Sequence, residues 1–363
     1  MSESSRKRPV KERVTINEVA KRAGVSPGTV SNTLNNSGYV NEHTRERVMR
    51  AVEELGYVPN RSGRILKTNK TGLVMMAIPD TSNEIYFDMI QAVQDTMKKN
   101  GYSMLLYYTN GQLSEELKSV QLLKERMVDG LFLVNFWYEK ELLEEIMKAP
   151  GPVVLCGMCN HLWNNPNQPF DTISIDVYQG IYAAVKHLIQ MGHRKIGYLG
   201  GKLGIEVYRQ RFQAYQDALR DHGIEYREEY VSWNDYSENG GYNSGRALYQ
   251  LKDRPTAICA SNDLQAIGCW RAIRDLGGNI PGDIALTGLD NLKISKILGI
   301  TSLNMKEDHV GQEAARLLVE RLAKSENQAD YQKIYFRPEL VVRNSTLTGI
   351  PQSDLKRRGF SLT

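Results

Sequence analysis

Residues 25–36 read Val-Ser-Pro-Gly-Thr-Val-Ser-Asn-Thr-Leu-Asn-Asn, and the folding of this stretch decides what the chain can be. A core helix would be richer in Leu and Ala, and a plain loop would not place Val25, Val30 and Leu34 at near-helical intervals. The stretch therefore predicts a short helix that buries one face and holds the other out. Ser26 is a good N-cap and Pro27 suits the first helical position. Upstream, Thr15-Ile-Asn-Glu18 forms a capping box, and Ile16, Val19, Ala20 and Ala23 follow at i, i+3, i+4 and i+7. Gly24 stands where such a helix ends in a left-handed residue. Downstream, a third helix is predicted from Asn41 as cap to Leu55, with Val48, Val52 and Leu55 on its apolar face. Helix, Gly-containing turn, short helix, third helix is helix-turn-helix spacing.

In that reading the outward positions Pro27, Gly28, Thr29, Ser31, Asn32 and Asn35 are placed to enter a DNA major groove. Asn pairs bidentately with adenine, Ser and Thr serve several bases, and Pro and Gly contribute shape. Charge points the same way. Residues 1–70 hold 14 Lys/Arg against 7 Glu, a balance of +7 within a chain whose total is +4. A basic head on a mildly acidic body suits a polyanionic partner for the head alone. Beyond Tyr57, Pro59 ends the preceding structure and Asn60 can cap a short helix over residues 61–67. Gly63 weakens that helix, which is too short to persist alone. It reads as a linker that orders when two copies meet on DNA, Leu66 acting as an apolar wedge for the minor groove.

The 363 residues, 41% of them hydrophobic and 24% charged, are ordinary globular composition and long enough for two or three domains. No run of about 18 apolar residues and no apolar stretch near the N-terminus predict a membrane span or a secretory signal. The expected location is a reducing cytoplasm. Four cysteines make no disulfide framework for this length. Cys156 and Cys159 match C-x-x-C, but they follow the apolar run PVVL and read as small hydrophobes at a strand end. The six histidines (43, 161, 187, 193, 222 and 309) show no metal-ligand spacing. His187 and His193 flank a predicted helix end, where a cation is welcome.

From Gly72 onward, short apolar runs (LVMMAI, SMLLYY, GLFLVN, PVVLCG, TISID, KIGYLGG, YVSW, TAICA, IALTGL) alternate with amphipathic helical stretches. That alternation predicts an α/β body of parallel sheets covered on both faces, in two lobes. Ligands of open α/β sheets bind beyond the carboxyl ends of the strands. The residues that follow each strand then define a candidate pocket: Asp80, Tyr86, Phe136, Trp137, Asp176, Arg209, Arg211, Tyr236, Asn262, Asp263 and Asp290. Aromatic faces with convergent Asn, Asp and Arg suit a hydroxyl-rich small molecule. No G-x-S-x-G, H-E-x-x-H or Walker A motif supports catalysis, and the G-G-x-x-G of YLGGKLG lacks the dinucleotide fingerprint. No enzyme activity, cofactor or metal is expected.

Five stretches in order (TINEVAKRAGVSPGTVSNTLN, ELGYVPNRSGRIL, HLIQMGHRKIGYLGG, TAICASNDLQAIG and FRPELVVRNST) make the chain resemble the LacI/GalR family of bacterial sugar-responsive transcription factors. The resemblance implies a homodimer whose heads read two half-sites of a pseudo-palindromic operator, paired hinge helices, and a periplasmic-binding-protein-like body holding an effector. It places Pro27, Gly28 and Asn32 among base-reading positions and Leu66 at the residue that pries apart the central base step. It also gives Arg211 and Asp290 effector-binding roles, with Tyr86 and Tyr236 as cleft aromatics. Gly63 departs from the usual hinge Ala, NEIYF from NPFF, Asp176-Val177 from Asp-Asn, and GLDN from GxDD, which removes one carboxylate.

The expected organisation is a basic arm at 1–13, a helix-turn-helix domain at 14–58, a hinge at 59–70, the body at 71–346 and a tail at 347–363. Within the body, one lobe is expected at 71–172 with 301–330, the other at 173–300 with 331–346. The residues assigned to DNA are Thr15, Ser26, Pro27, Gly28, Thr29, Ser31, Asn32, Asn35, Asn60, Arg61, Gly63 and Leu66. The expected function is repression of a carbohydrate-utilisation operon under control of a sugar-like effector. The alternatives are a carbohydrate receptor without DNA function and an effector-independent or co-repressor-type regulator.

Overall fold

The computed structural model describes residues 14–35, 37–58, 70–135, 139–157, 170–201, 206–323 and 330–347. Two units separate at Thr71/Gly72.

The first unit contains α1 (Ile16–Ala23), α2 (Pro27–Leu34) and α3 (Glu42–Leu55). Each starts on a side-chain cap: Thr15, Ser26 and Asn41 accept from the backbone N–H three residues on. The capping box is complete, because the Thr15 N–H also donates to the Glu18 carboxylate at 2.7 Å. Gly24 (φ 65°) and Gly56 (φ 61°) close α1 and α3 in the left-handed conformation. Val19, Ala20, Ala23, Val30, Val48 and Ala51 form the small core, with Val25 and Leu34 packed against it. Arg47 on α3 donates to the Ala23 and Gly24 carbonyls and ties the third helix to the turn.

The second unit holds two parallel sheets. Strands β1 (Leu73–Ile78), β2 (Ser103–Tyr108), β3 (Gly130–Asn135), β4 (Val153–Gly157), β5 (Asp171–Ile175) and β11 (Lys333–Phe336) form the first, in order β11-β5-β4-β3-β1-β2. Strands β6 (Ile196–Gly200), β7 (Val231–Trp233), β8 (Ala257–Ala260) and β9 (Ala285–Thr287) form the second, in order β7-β6-β8-β9. Burial explains the unbroken apolar strands. In β1, Val74, Met76 and Ile78 pack toward the helices Ile85–Lys99 and Glu307–Ala323. Met75 and Ala77 pack toward the helices Leu113–Lys124 and Lys140–Met147. Both faces are covered, so no polar alternation survives.

The expected lobe boundaries shift. β5 and β11 both belong to the first sheet, so its lobe runs to Ile175 and takes back residues 333–336, which the sequence reading gave to the other lobe. The buried Asp171 carboxylate secures this return: Arg321 grips it with two 2.8 Å hydrogen bonds, and the Gln332 N–H donates to it at 2.8 Å. The chain passes between lobes after β5, after β10 (Ser302–Asn304) and before β12 (Glu339–Val341), the last two pairing antiparallel. β10, β11 and β12 have no counterpart among the predicted strands.

Close helix approach in the second lobe depends on glycine. A Cβ at Gly241 would lie 2.2 Å from the Gln265 carbonyl oxygen, and one at Gly268 would lie 1.9 Å from that of Glu238. The helices Glu238–Tyr249 and Asp263–Asp275 therefore pack backbone to backbone. Among the described residues, no helix is long and apolar enough to cross a membrane.

Candidate functional site: a helix-turn-helix face and an interlobe cleft

In the first unit, Pro27, Gly28 and Asn35 are exposed on α2, whereas Thr29, Ser31 and Asn32 are half-buried. Thr15 and Ser26 are exposed cap residues, and the Ser26 and Thr29 hydroxyls share a 2.9 Å hydrogen bond. The Asn35 side chain donates to the Ser31 carbonyl at 2.8 Å. Apolar periodicity missed one inward residue: Thr33 is 2% exposed, its hydroxyl donating to the Thr29 carbonyl. Asn60, Arg61, Gly63 and Leu66 lie outside the described residues.

The basic balance of the first 70 residues is unevenly placed. Between residues 14 and 58, Lys21, Arg22, Arg45, Arg47 and Arg50 are matched by Glu18, Glu42, Glu46, Glu53 and Glu54. The three-helix unit is formally neutral, so the positive excess sits in the flanking segments. None of the five cations lies on α2.

In the second unit, the loops at the strand ends meet between the lobes. Arg211, on the helix Glu206–Asp221, is 4% exposed. Its guanidinium donates to the Ser261 carbonyl at 2.8 Å and sits 5.3 Å from the centre of the Tyr236 ring. The Ser261 hydroxyl is itself held by the Leu199 carbonyl and the Tyr198 hydroxyl, so the acceptor for Arg211 is rigid. Tyr208 lies 4.5 Å from Tyr236, ring centre to ring centre. Arg211 therefore lies among aromatic faces of the second lobe.

Two glycines make room for these rings. A Cβ at Gly201 would fall 1.7 Å from a Tyr236 ring carbon, and one at Gly200 would fall 2.4 Å from Trp233. The glycines of YLGG thus serve ring packing.

Asp290 is 8% exposed and stands at φ 118°, an uncommon conformation for a residue with a side chain. Its N–H donates to the Leu303 carbonyl at 3.0 Å, and the next residue, Asn291, donates its N–H to the Ser302 hydroxyl. The loop is thereby pinned to the interlobe strand β10. Burial pushes the Asp290 carboxyl well above the ordinary carboxylate range, Asp263 pushes it further, and Arg211 pulls it back. Tyr86, 3% exposed, answers from the first lobe: burial raises its phenol, and Asp290 and Asp80 add to the rise. Burial likewise lifts the Tyr236 phenol to about 12, opposed by Arg211.

The other expected residues are placed as follows. Arg209 and Arg211 are two positions apart on a helix and so about 200° apart around its axis; Arg209 is exposed. Asp263 is fully buried, one oxygen accepting from the Ser302 hydroxyl at 2.6 Å and the other from the Leu292 N–H at 2.8 Å. It braces the Asp290 loop. Asn262 caps the helix Asp263–Asp275 through its oxygen and donates its amide to the Tyr236 carbonyl at 2.9 Å. It positions Tyr236. Asp80 accepts from the Ser82 N–H and hydroxyl, and Asp176 caps the helix Val177–Gln190. Phe136 and Trp137 lie outside the described residues. His187 is no helix-end cation: it is 2% exposed, bonded through Nε2 to the Thr346 hydroxyl at 2.9 Å, and burial pushes its pKa down to about 4.

A small cavity opens at the carboxyl ends of β3, β4 and β5. Tyr86, Met89, Asn135, Cys156, Ile175 and Glu307 are among its lining residues. Asn135, Tyr208 and Glu307 were missed by the sequence reading. Tyr208 carried a signal, since it precedes Arg211 by three and shares its helix face. Asn135 also carried one, as the polar end of an apolar strand. Glu307 carried none, because an acidic residue opening a helix reads as a favourable terminal charge. Cys156, Cys259 and Cys269 are buried thiols pushed up to about 12 by burial, so each behaves as a packing residue. Cys159 lies outside the described residues. Among the described residues, no group of three or more His, Cys, Asp or Glu is placed to hold a metal ion.

Residues 15–60 match the model of "Bacterial regulatory proteins, lacI family", and residues 185–346 match the "Periplasmic binding protein-like domain". The HTH-type transcriptional repressor PurR of Mannheimia succiniciproducens is 32% identical over 335 residues, covering 91% of this chain and 98% of that one. The chain belongs to the LacI family of bacterial regulators. The structure of a transcriptional regulator CelR–cellobiose complex is 29% identical with a TM-score of 0.67, covering 92% of this chain and 100% of the other. A lac repressor dimer bound to operator and the anti-inducer ONPF superposes with a TM-score of 0.79 over 93% of this chain and 100% of that one, at 24% identity, and so shares the fold. As in its LacI-family relatives, the three-helix unit is a DNA-binding domain and the α/β body is of the periplasmic-binding type.

Proposed function

We propose that this LacI-family regulator acts as a homodimeric repressor of a carbohydrate-utilisation operon, its operator affinity set by a sugar-like effector held between Tyr86 of one lobe and Arg211, Tyr236 and Asp290 of the other. One observation carries the reading. The buried ionisable groups Tyr86, Arg211 and Asp290 act on one another across the lobes, and the Tyr236 ring lies against Arg211. Rings cover the apolar faces of a sugar, while a guanidinium and a carboxyl bind its hydroxyls. CelR, a structural relative, is seen in complex with cellobiose.

The described α2 face reads the bases through Asn32, Ser31 and Thr29, and Pro27 and Gly28 let the helix N-terminus approach closely. Arg61 and its basic neighbours hold phosphates, and Leu66 enters the minor groove. The protein works in the cytoplasm, at the nucleoid, with no catalytic turnover. Effector contacts from both lobes change the interlobe angle through the three chain crossings and alter how the two heads are spaced. Operator and effector must then shift each other's affinity by the same factor.

Two measurements test this. Selection from random duplexes should return a pseudo-palindromic site, and a thermal-shift panel of sugars should return a ligand that changes affinity for that site. A chain with no duplex preference over random competitor contradicts the regulator reading. A ligand that binds without altering operator affinity contradicts the coupling.

A further inference from the structure

Glu307 opens the helix Glu307–Ala323 on the first lobe and is 8% exposed. It lines a cavity of the first lobe together with Tyr86 and Asn135, against a wall that is otherwise largely apolar. Its Oε1 is buried and has no hydrogen-bond partner. A buried carboxyl oxygen left unmatched is costly, and native proteins keep one chiefly where something else completes it. Of the charges acting on Glu307, that of Asp290 from the opposite lobe is the strongest, and Asp88 and Asp308 add to it with the same sign. The Arg211 guanidinium donates to the Ser261 carbonyl, lies against the Tyr236 ring and offsets part of the charge of Asp290.

We propose that the effector carries a primary ammonium group, as an amino sugar does, and that this group docks between Glu307 and Asp290. The proposal rests on the effector reading above and narrows its ligand class. An ammonium brings three donors and a positive charge, so it satisfies the open Glu307 oxygen and favours the ionised form of the two buried carboxyls. A hydroxyl could donate one hydrogen bond but brings no charge to favour the ionised carboxyls. Tyr86, Tyr208 and Tyr236 then cover the faces of the ligand ring, and Arg211 takes its hydroxyls.

The experiment is isothermal titration of the full-length protein at pH 7 with a panel of monosaccharides and cyclitols. Each is presented as the amine, as the hydroxyl compound of the same stereochemistry, and as the N-acetyl derivative. The expected result is a best ligand that is an amine, bound at least tenfold tighter than its hydroxyl counterpart. Glu307→Gln should cut that preference at least tenfold and leave the hydroxyl compound within twofold. Hydroxyl compounds that bind as well as their amines, or an unchanged amine preference in Glu307→Gln, would overturn the proposal but spare the sugar-effector reading. Silence across the whole panel would overturn both. The amine-against-hydroxyl comparison needs no variant, so it decides the matter even if Glu307→Gln does not fold.

Discussion

The guanidinium of Arg211 lies 5.3 Å from the centre of the Tyr236 ring while donating to the Ser261 carbonyl at 2.8 Å. One side chain thus joins the ends of three separated segments. Lysine has a single ammonium in place of a planar fork and cannot hold the carbonyl and the ring in this geometry. Arg211→Lys should weaken effector binding at least tenfold and leave effector-free operator affinity within twofold. Fluorescence anisotropy on the selected operator, with and without ligand, checks both halves; a parallel loss of operator affinity would contradict the separation.

Gly201 is required by space. A methyl group there would sit 1.7 Å from a Tyr236 ring carbon, so the ring must leave its place beside Arg211. Gly201→Ala should cost about 1–3 kcal/mol, the usual range for overpacking, and should blunt the effector response. Urea unfolding measures the first, and operator release by effector measures the second. Wild-type behaviour in both would mean that the ring position is unimportant.

The neutral three-helix unit makes a claim about salt. If the flanking segments neutralise the DNA phosphates, changing Arg61, Arg64 and Lys67 to Gln should lower the slope of log affinity against log salt by about 0.9 for each phosphate left without its cation. Asn32→Ala should leave that slope unchanged and alter base preference in a repeated selection. Equal slopes for the triple variant and wild type would return the electrostatic role to α1 and α3.

His187 sets a pH dependence. Its pKa is about 4 when folded and near 6.5 when unfolded, so between those values the unfolded chain holds the extra proton. The stability is present above pH 6.5 and is lost as pH falls toward 4. By pH 5 the loss amounts to about 2 kcal/mol from this residue. Glu116, with its carboxyl raised to about 7 chiefly by burial, shifts stability the opposite way, but it does so equally with and without His187. Comparing wild type with His187→Gln by urea unfolding at pH 7 and pH 5 isolates the histidine, and wild type should lose more.

The amino-acid sequence by itself determined the head and the class of the body. Caps at Thr15, Ser26 and Asn41, glycines at 24 and 56, and apolar intervals of three and four act within a few residues, so the helices start and stop as their local chemistry directs. Unbroken apolar strands likewise announce a sheet covered on both faces. Tertiary structure alone decided which of the polar residues ending those strands meet. Asp263 and Asp290 both end apolar runs, yet the pairing of β8 with β9 and the crossing strand β10 bury the first under Ser302 and Leu292. The same arrangement leaves Asp290 coupled to Arg211, Tyr86 and Glu307 across the lobes. Strand order and lobe crossings depend on pairings between separated segments, such as Thr172 beside Lys333, and no local pattern encodes them.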